Sequence, residues 1–336
     1  MKKLLYIGNQ LSEHGINKTS IETLGDFLMQ ENYRVIRTSS KKNQLLRLLD
    51  MIVTTFVNSK KVDYILIDTY STSSFWYALI CSQIARLFRK KYIPILHGGL
   101  LPNRFKKNPY LCRLLFKNAY KNVAPSKYLF EICRQHGYYN VDFIPNSIQL
   151  ASYNYKQRNQ IKPRILWVRA FATIYNPQMA VFVFKIIKEK YPHASLTMVG
   201  PDKDGSLQHL KKQAQQQQLN INFTGKLSLL QWTAQAQHHD IFINTTHYDN
   251  TPISVLEAMA LGLPVVSTNV GGIPYLLSHN TNALLVNNND AHQMASAIES
   301  LLQNPILVQK ISQNAKTLVN TMDWNQVKQH WNTLLS

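Results

Sequence analysis

Short apolar runs alternate with helix-length stretches along this chain, and the alternation runs twice. In the first half the runs are KLLYIG, YRVIRT, VDYILID, KYIPILH, KNVAP and VDFIP; in the second they are RILWV, SLTMVG, NINFTG, DIFIN, LPVVST and NALLV. Apolar runs separated by helices are the pattern of parallel strands buried on both faces, because each crossover helix covers the sheet it left. The expected class is therefore α/β, with two doubly wound parallel-sheet domains. The polar stretch ASYNYKQRNQIKP, residues 151–163, ends in proline and reads as a linker. The domains are then 1–150 and 164–320. Residues 321–336 form a terminal helix with Trp324, Val327 and Trp331 on one face. A chain of 336 residues is long enough for two cores of this kind. Thr19 and Glu22 have capping-box spacing, and Ser126 reads as a helix N-cap.

Several classes fall away on composition. The three cysteines, Cys81, Cys112 and Cys133, make neither a disulfide framework nor a metal-ligand spacing, which fits a cytoplasmic compartment. The start MKKLLYIGNQ has too short an apolar run for a signal peptide, and FWYALIC is too short to span a bilayer. Formal charge is +19, unevenly placed: residues 1–150 carry 22 basic and 9 acidic side chains. That balance suits a solvated basic face or an anionic membrane leaflet, so a peripheral place on the inner face of the cytoplasmic membrane is one expectation. No nucleic-acid-binding motif accompanies it, and no nucleic acid is expected.

The most informative stretch is DNTPISVLEAMALGLPVVSTNVGG, from Asp249 to Gly272. Thr251 reads as an N-cap and Pro252 as the first helical residue. The amides of Ile253, Ser254 and Val255 then lack partners within the helix and, with the helix dipole, suit a phosphate. Glu257 leans back toward the helix start, where a carboxylate can accept from the two hydroxyls of a ribose. Asp249 and Asn250 sit on the preceding loop, and Asp249 can accept from a second polyhydroxylated group. The helix stops at Gly262, a buried strand follows, and Gly271-Gly272 turns at the carboxyl edge, where open α/β sheets bind ligands. Phosphate, ribose and sugar together describe a nucleotide sugar.

This stretch resembles the signature of glycosyltransferase family 4, written E-x7-E followed by A-M-A-x-G-x-P-V-V and G-G. The resemblance extends to LHGG (96–99), VAPSKYLFE (123–131), IPNSI (144–148) and ILWVRAF (165–171). It implies the GT-B fold, two Rossmann-like domains facing across a cleft. It also implies a retaining transferase moving sugar from a nucleoside-diphosphate donor, held by the second domain, to a glycan or lipid-linked acceptor at the first. The process implied is polysaccharide or lipopolysaccharide synthesis. No cofactor or metal is implied. By position Arg169 stabilises the diphosphate, Glu257 binds the ribose, Asp249 the donor sugar, and His97 faces the reacting sugar beside Gly98 and Gly99. Catalytic roles fall on His97, Arg169 and Asp249. The donor set also includes Tyr175, Gly200, Lys226, Asn250, Thr251, Pro252, Ile253 and Ser254.

Three positions depart from the family pattern. Asp249 stands where Glu is usual. The lysine usual about six residues after the arginine is missing: Tyr175 occupies that place, and no Lys or Arg lies between Arg169 and Lys185. Lys226 is the candidate replacement. Tyr275 stands where the family has a glutamate after its paired glycines. These departures also fit an alternative, a protein that binds a nucleotide sugar or glycan on this fold without turning it over. Asp202-Lys203-Asp204 has D-x-D metal spacing but reads as a polar loop, and His238-His239 reads as a surface pair.

Overall fold

The structure is a computed structural model describing residues 1–15 and 18–336. The chain divides into two compact units, one of Met1–Ser147 with Val327–Ser336 and one of Ile148–Gln326. The first holds β1 (Lys3–Ile7), β2 (Arg34–Thr38), β3 (Tyr64–Thr69), β4 (Lys91–Leu96), β5 (Asn122–Ala124) and β6 (Val141–Phe143). All pair in parallel in the order β2-β1-β3-β4-β5-β6. The second holds β7 (Arg164–Val168), β8 (Ser195–Val199), β9 (Ile221–Gly225), β10 (Ile241–Asn244), β11 (Val265–Thr268) and β12 (Leu284–Val286), parallel in the order β12-β11-β10-β7-β8-β9. These are the twelve apolar runs of the sequence.

The burial explains the runs. Every residue of β3, β10 and β11 is buried, so no outward face requires polar residues. Each sheet has one place where strand order reverses, between β1 and β3 in the first unit and between β7 and β10 in the second. Helices leave these strands to opposite faces, and the crevice that opens beyond the carboxyl ends is where such sheets take ligands.

The stretch 151–163 is anchored to the second unit rather than free of it. Arg158 is buried and donates to the carbonyls of His239, Lys156, Leu261 and Ala236 at 2.8–3.1 Å. The terminal helix Trp324–Leu334 buries Trp324, Val327 and Trp331. From Val327 on it belongs to the first unit, where Lys328 Nζ meets Glu31 at 3.0 Å and Tyr33 donates to Asn332 at 3.1 Å.

The capping box at Thr19 and Glu22 is formed, and Ser126 Oγ accepts from the Leu129 amide at 3.1 Å. One expectation needs correction. His239 is not on the surface: its ring is buried between the Gln235 carbonyl at 2.8 Å and Thr197 Oγ1 at 2.9 Å. Both ring nitrogens are bonded inside the fold, which is why adjacency to the exposed His238 misled.

Candidate functional site

Two loops at the reversal point of the second sheet build the site. Beyond β7 the chain runs from Arg169 to a single 3-10 turn, Thr173–Tyr175. Beyond β10 it runs through 245–252 into the helix Ile253–Ala260. The loops are joined directly. Thr245 Oγ1 donates to the Tyr175 carbonyl at 2.9 Å, and Thr246 Oγ1 and the His247 amide donate to Ile174 at 3.1 and 2.8 Å. The fully buried Trp167, within β7, donates from Nε1 to Thr245 Oγ1 at 3.0 Å. The side chains on the two loops are therefore fixed relative to each other.

Arg169 is the centre of the cluster. Its Nη2 forms an ion pair with Asp249 Oδ2, with the two side chains only 15% and 16% exposed. The Tyr175 ring lies 4.6 Å from its Cζ in a cation–π contact. Tyr175 thus supplies no replacement charge; its ring covers the Arg169 guanidinium. Burial lowers the Arg169 pKa, opposed by Tyr175 and Glu257. Arg169 Nε and Ser254 Oγ are both buried without a hydrogen-bond partner among the described residues. A buried unpaired polar group costs about 1–3 kcal/mol, so it marks a place where an acceptor is expected.

Glu257, one turn into the helix, accepts from Tyr153 Oη at 2.9 Å. Burial pushes its carboxyl up to about 7 against the opposing pull of Tyr153 and Arg169. At neutral pH it is poised between acid and carboxylate.

The helix begins differently from the expectation. Pro252, not Thr251, takes the cap position, with extended ψ of 110° and no side-chain cap. Its carbonyl already receives the amides of Val255 and Leu256 at 3.1 and 3.3 Å. Val255 therefore drops out as an anion donor, leaving Ile253 and Ser254 at the open end.

The paired glycines are required by the loop backbone. A Cβ on Gly271 would collide with the Asp249 carbonyl oxygen, and one on Gly272 with that of Asn250. Only glycine lets the backbone that carries Asp249 lie there, and the Gly272 amide donates to Asp249 O at 2.8 Å. Gly272→Ala should therefore displace this loop at a cost of about 1–3 kcal/mol. Thermal melting tests it, and a melting curve matching wild type would show that the loop yields freely. Gly200 is set the same way: any side chain there would run into the carbonyl oxygen of Arg169.

Lys226 is exposed on the loop after β9. Asp202 and Asp204 stabilise turns: Asp202 accepts from the Gly205 amide at 2.9 Å, and Asp204 from Thr173 and Ser206. Those bonds hold the Asp204 carboxyl down at about 2.

His97, Gly98 and Gly99 belong to the first unit, just beyond β4. His97 Nε2 meets Asp68 Oδ1 at 2.8 Å, and its ring stacks on Tyr70 at 4.9 Å. Asp68 is fully buried at the end of β3 and also accepts from Tyr6 at 2.9 Å. With Nε2 donating to Asp68, a neutral His97 presents Nδ1 as an acceptor. Neither Asp68 nor Tyr153 was identified from the sequence. The only signal for Asp68 was a carboxylate closing an apolar run; Tyr153 gave none, being one tyrosine in a polar stretch.

Comparison with known proteins adds the following. Residues 154–318 match the family described as Glycosyl transferases group 1. An uncharacterized glycosyltransferase of Haemophilus influenzae is 25% identical over 155 residues, 46% of this chain and 43% of the relative. The UDP-Gal:alpha-D-GlcNAc-diphosphoundecaprenol alpha-1,3-galactosyltransferase of Escherichia coli is 23% identical over 197 residues, 53% of this chain and 50% of the relative. The chain thus spans about half the length of the curated relatives it matches. Among solved structures, Anabaena HepE in complex with UDP and glucose superposes with a TM-score of 0.78 at 17% identity, covering 100% of this chain and 99% of that one. The apo form of the lipopolysaccharide outer core galactosyltransferase WaaB gives 0.69 at 12%, covering 99% of each chain.

Proposed function

We propose that this chain, a GT-B glycosyltransferase whose residues 154–318 fall in group 1, moves a sugar from a nucleoside-diphosphate sugar to a hydroxyl of a glycan or lipid-linked acceptor, with retention at the anomeric carbon, in cell-surface polysaccharide synthesis. The observation that carries the reading is the buried, unpartnered Nε of Arg169, whose guanidinium pairs with Asp249 on the loop leading into the helix Ile253–Ala260 at the reversal point of the sheet.

On this reading the diphosphate accepts from Arg169 and from the amides of Ile253 and Ser254. These groups stabilise the charge that grows on the leaving phosphate, without a metal. Glu257 accepts from the ribose hydroxyls. Asp249, released from Arg169 as the phosphate takes its place, accepts from the donor sugar. The bond from the anomeric carbon to the phosphate oxygen breaks, the bond to the acceptor oxygen forms on the same face, and the acceptor proton passes to the leaving phosphate. The role of His97, which Asp68 orients within the first unit, is carried over from the family resemblance alone. The lipid-linked acceptor draws support from the Escherichia coli relative, whose name specifies a diphosphoundecaprenol acceptor. The positive charge of residues 1–150 suits a place at an anionic leaflet.

A thermal-shift screen with UDP, GDP, ADP and CMP, without metal and then with manganese, tests the donor side. One nucleoside diphosphate should stabilise the protein without metal. No shift with any of them, or a shift that needs manganese, would contradict the metal-free reading.

A further inference from the structure

The helix Gln44–Asn58 in the first unit turns only part of its apolar surface inward. Met51 and Thr55 are buried, while Leu45, Leu46, Leu49, Val53, Phe56 and Val57 are 51–73% exposed. Their spacing places all six on one stripe of the helix surface. Single exposed apolar residues are ordinary, but a stripe of six along one helix marks an interaction face. The stripe continues past the helix: Phe56 packs edge-on against Phe88 at 5.1 Å, and the neighbouring Leu87 is 75% exposed.

Both ends of the stripe are basic. Lys41 and Lys42 precede the helix, and Lys60 and Lys61 follow it. Arg86, Arg89 and Lys90 flank Leu87, and Lys60 Nζ lies 5.7 Å from the Phe88 ring. Within 41–61 the one acidic side chain is Asp50, and it accepts from Thr38 Oγ1 at 3.1 Å.

We infer that this face docks the chain on an anionic lipid bilayer, with the stripe entering the headgroup boundary and the flanking cations meeting lipid phosphates. The inference deepens the acceptor side of the reading above and rests on it for the reason such docking would serve the chain. Charge selects the occupant. A second copy seated on the same face would bring two basic rims together, whereas an anionic leaflet complements the rim and accepts the stripe.

The test is co-sedimentation of the full chain with phosphatidylcholine vesicles, with and without phosphatidylglycerol. Wild type should bind the anionic vesicles at low ionic strength. Combined Leu46→Gln, Leu49→Gln and Val53→Gln should weaken that binding at least about tenfold, and Lys60→Gln with Lys61→Gln should weaken it further. Both variants should keep the wild-type melting temperature and nucleotide-induced shift, so loss of docking and failure of the donor site are read separately. Failure of wild type to bind, equal binding to uncharged vesicles, or equal binding by the apolar-stripe variant would overturn the inference. So would a concentration-dependent dimer that the triple variant abolishes without any vesicle binding.

Discussion

Replacing Glu257 by glutamine is expected to stabilise the fold at pH values above about 7 while weakening nucleotide binding there. The folded carboxyl has its pKa raised from 4.5 to about 7, chiefly by burial. A raised carboxylate pKa means that ionisation opposes folding. Its favourable contribution is complete below 4.5, is lost as pH rises toward about 7, and stays lost above that. Glutamine does not titrate and its oxygen can still accept from Tyr153. The stability gap should therefore be near zero below about pH 4.5 and reach up to about 3 kcal/mol above pH 7. Binding runs the other way, because an amide oxygen replaces a carboxylate opposite the ribose hydroxyls; about tenfold weaker binding is expected. Melting curves across pH and titration with the nucleoside diphosphate measure both. A stability gap independent of pH would mean that Glu257 does not titrate in this window. Unchanged affinity would remove it from the ribose site.

Arg169→Ala should have the larger effect on the donor. It removes the cation assigned to the diphosphate and leaves Asp249 a largely buried carboxylate without its partner. Breaking such a pair from one side costs about 3–5 kcal/mol, so the single variant is expected to be poorly folded. Adding Asp249→Asn removes the stranded charge and should recover most of the melting temperature. Nucleotide affinity should not recover, remaining at least about a hundredfold below wild type, since two charge-assisted contacts are gone. A folded double variant that binds nucleotide like wild type would separate Arg169 from the diphosphate.

The sheets were legible because strands buried on both faces cannot hide their apolar runs, and each run in the sequence is a strand of the structure. Arg169, Asp249 and Glu257 were legible as site candidates because they fall at strand ends or on one helix with recognisable spacing. Their mutual arrangement was not. The pairing of Arg169 with Asp249 joins residues from two loops, and Tyr175 reaches Arg169 only because Thr245 and Thr246 hold its turn in place. Asp68 reaches His97 because β3 and β4 are neighbours. The paired glycines were visible, but the close approach of the Asp249–Asn250 backbone that requires them is a tertiary fact. The helix start was misplaced by one residue because Pro252 fits both the cap and the first turn, and its extended ψ decided between them.

A crystal structure of the full chain with the nucleoside diphosphate chosen by the melting screen tests the central claim most directly. The account predicts the diphosphate within hydrogen-bond reach of Arg169 Nε and the Ile253 and Ser254 amides, the ribose hydroxyls on Glu257, and Asp249 parted from Arg169. A nucleotide bound elsewhere, with the Arg169–Asp249 pair intact, would contradict it.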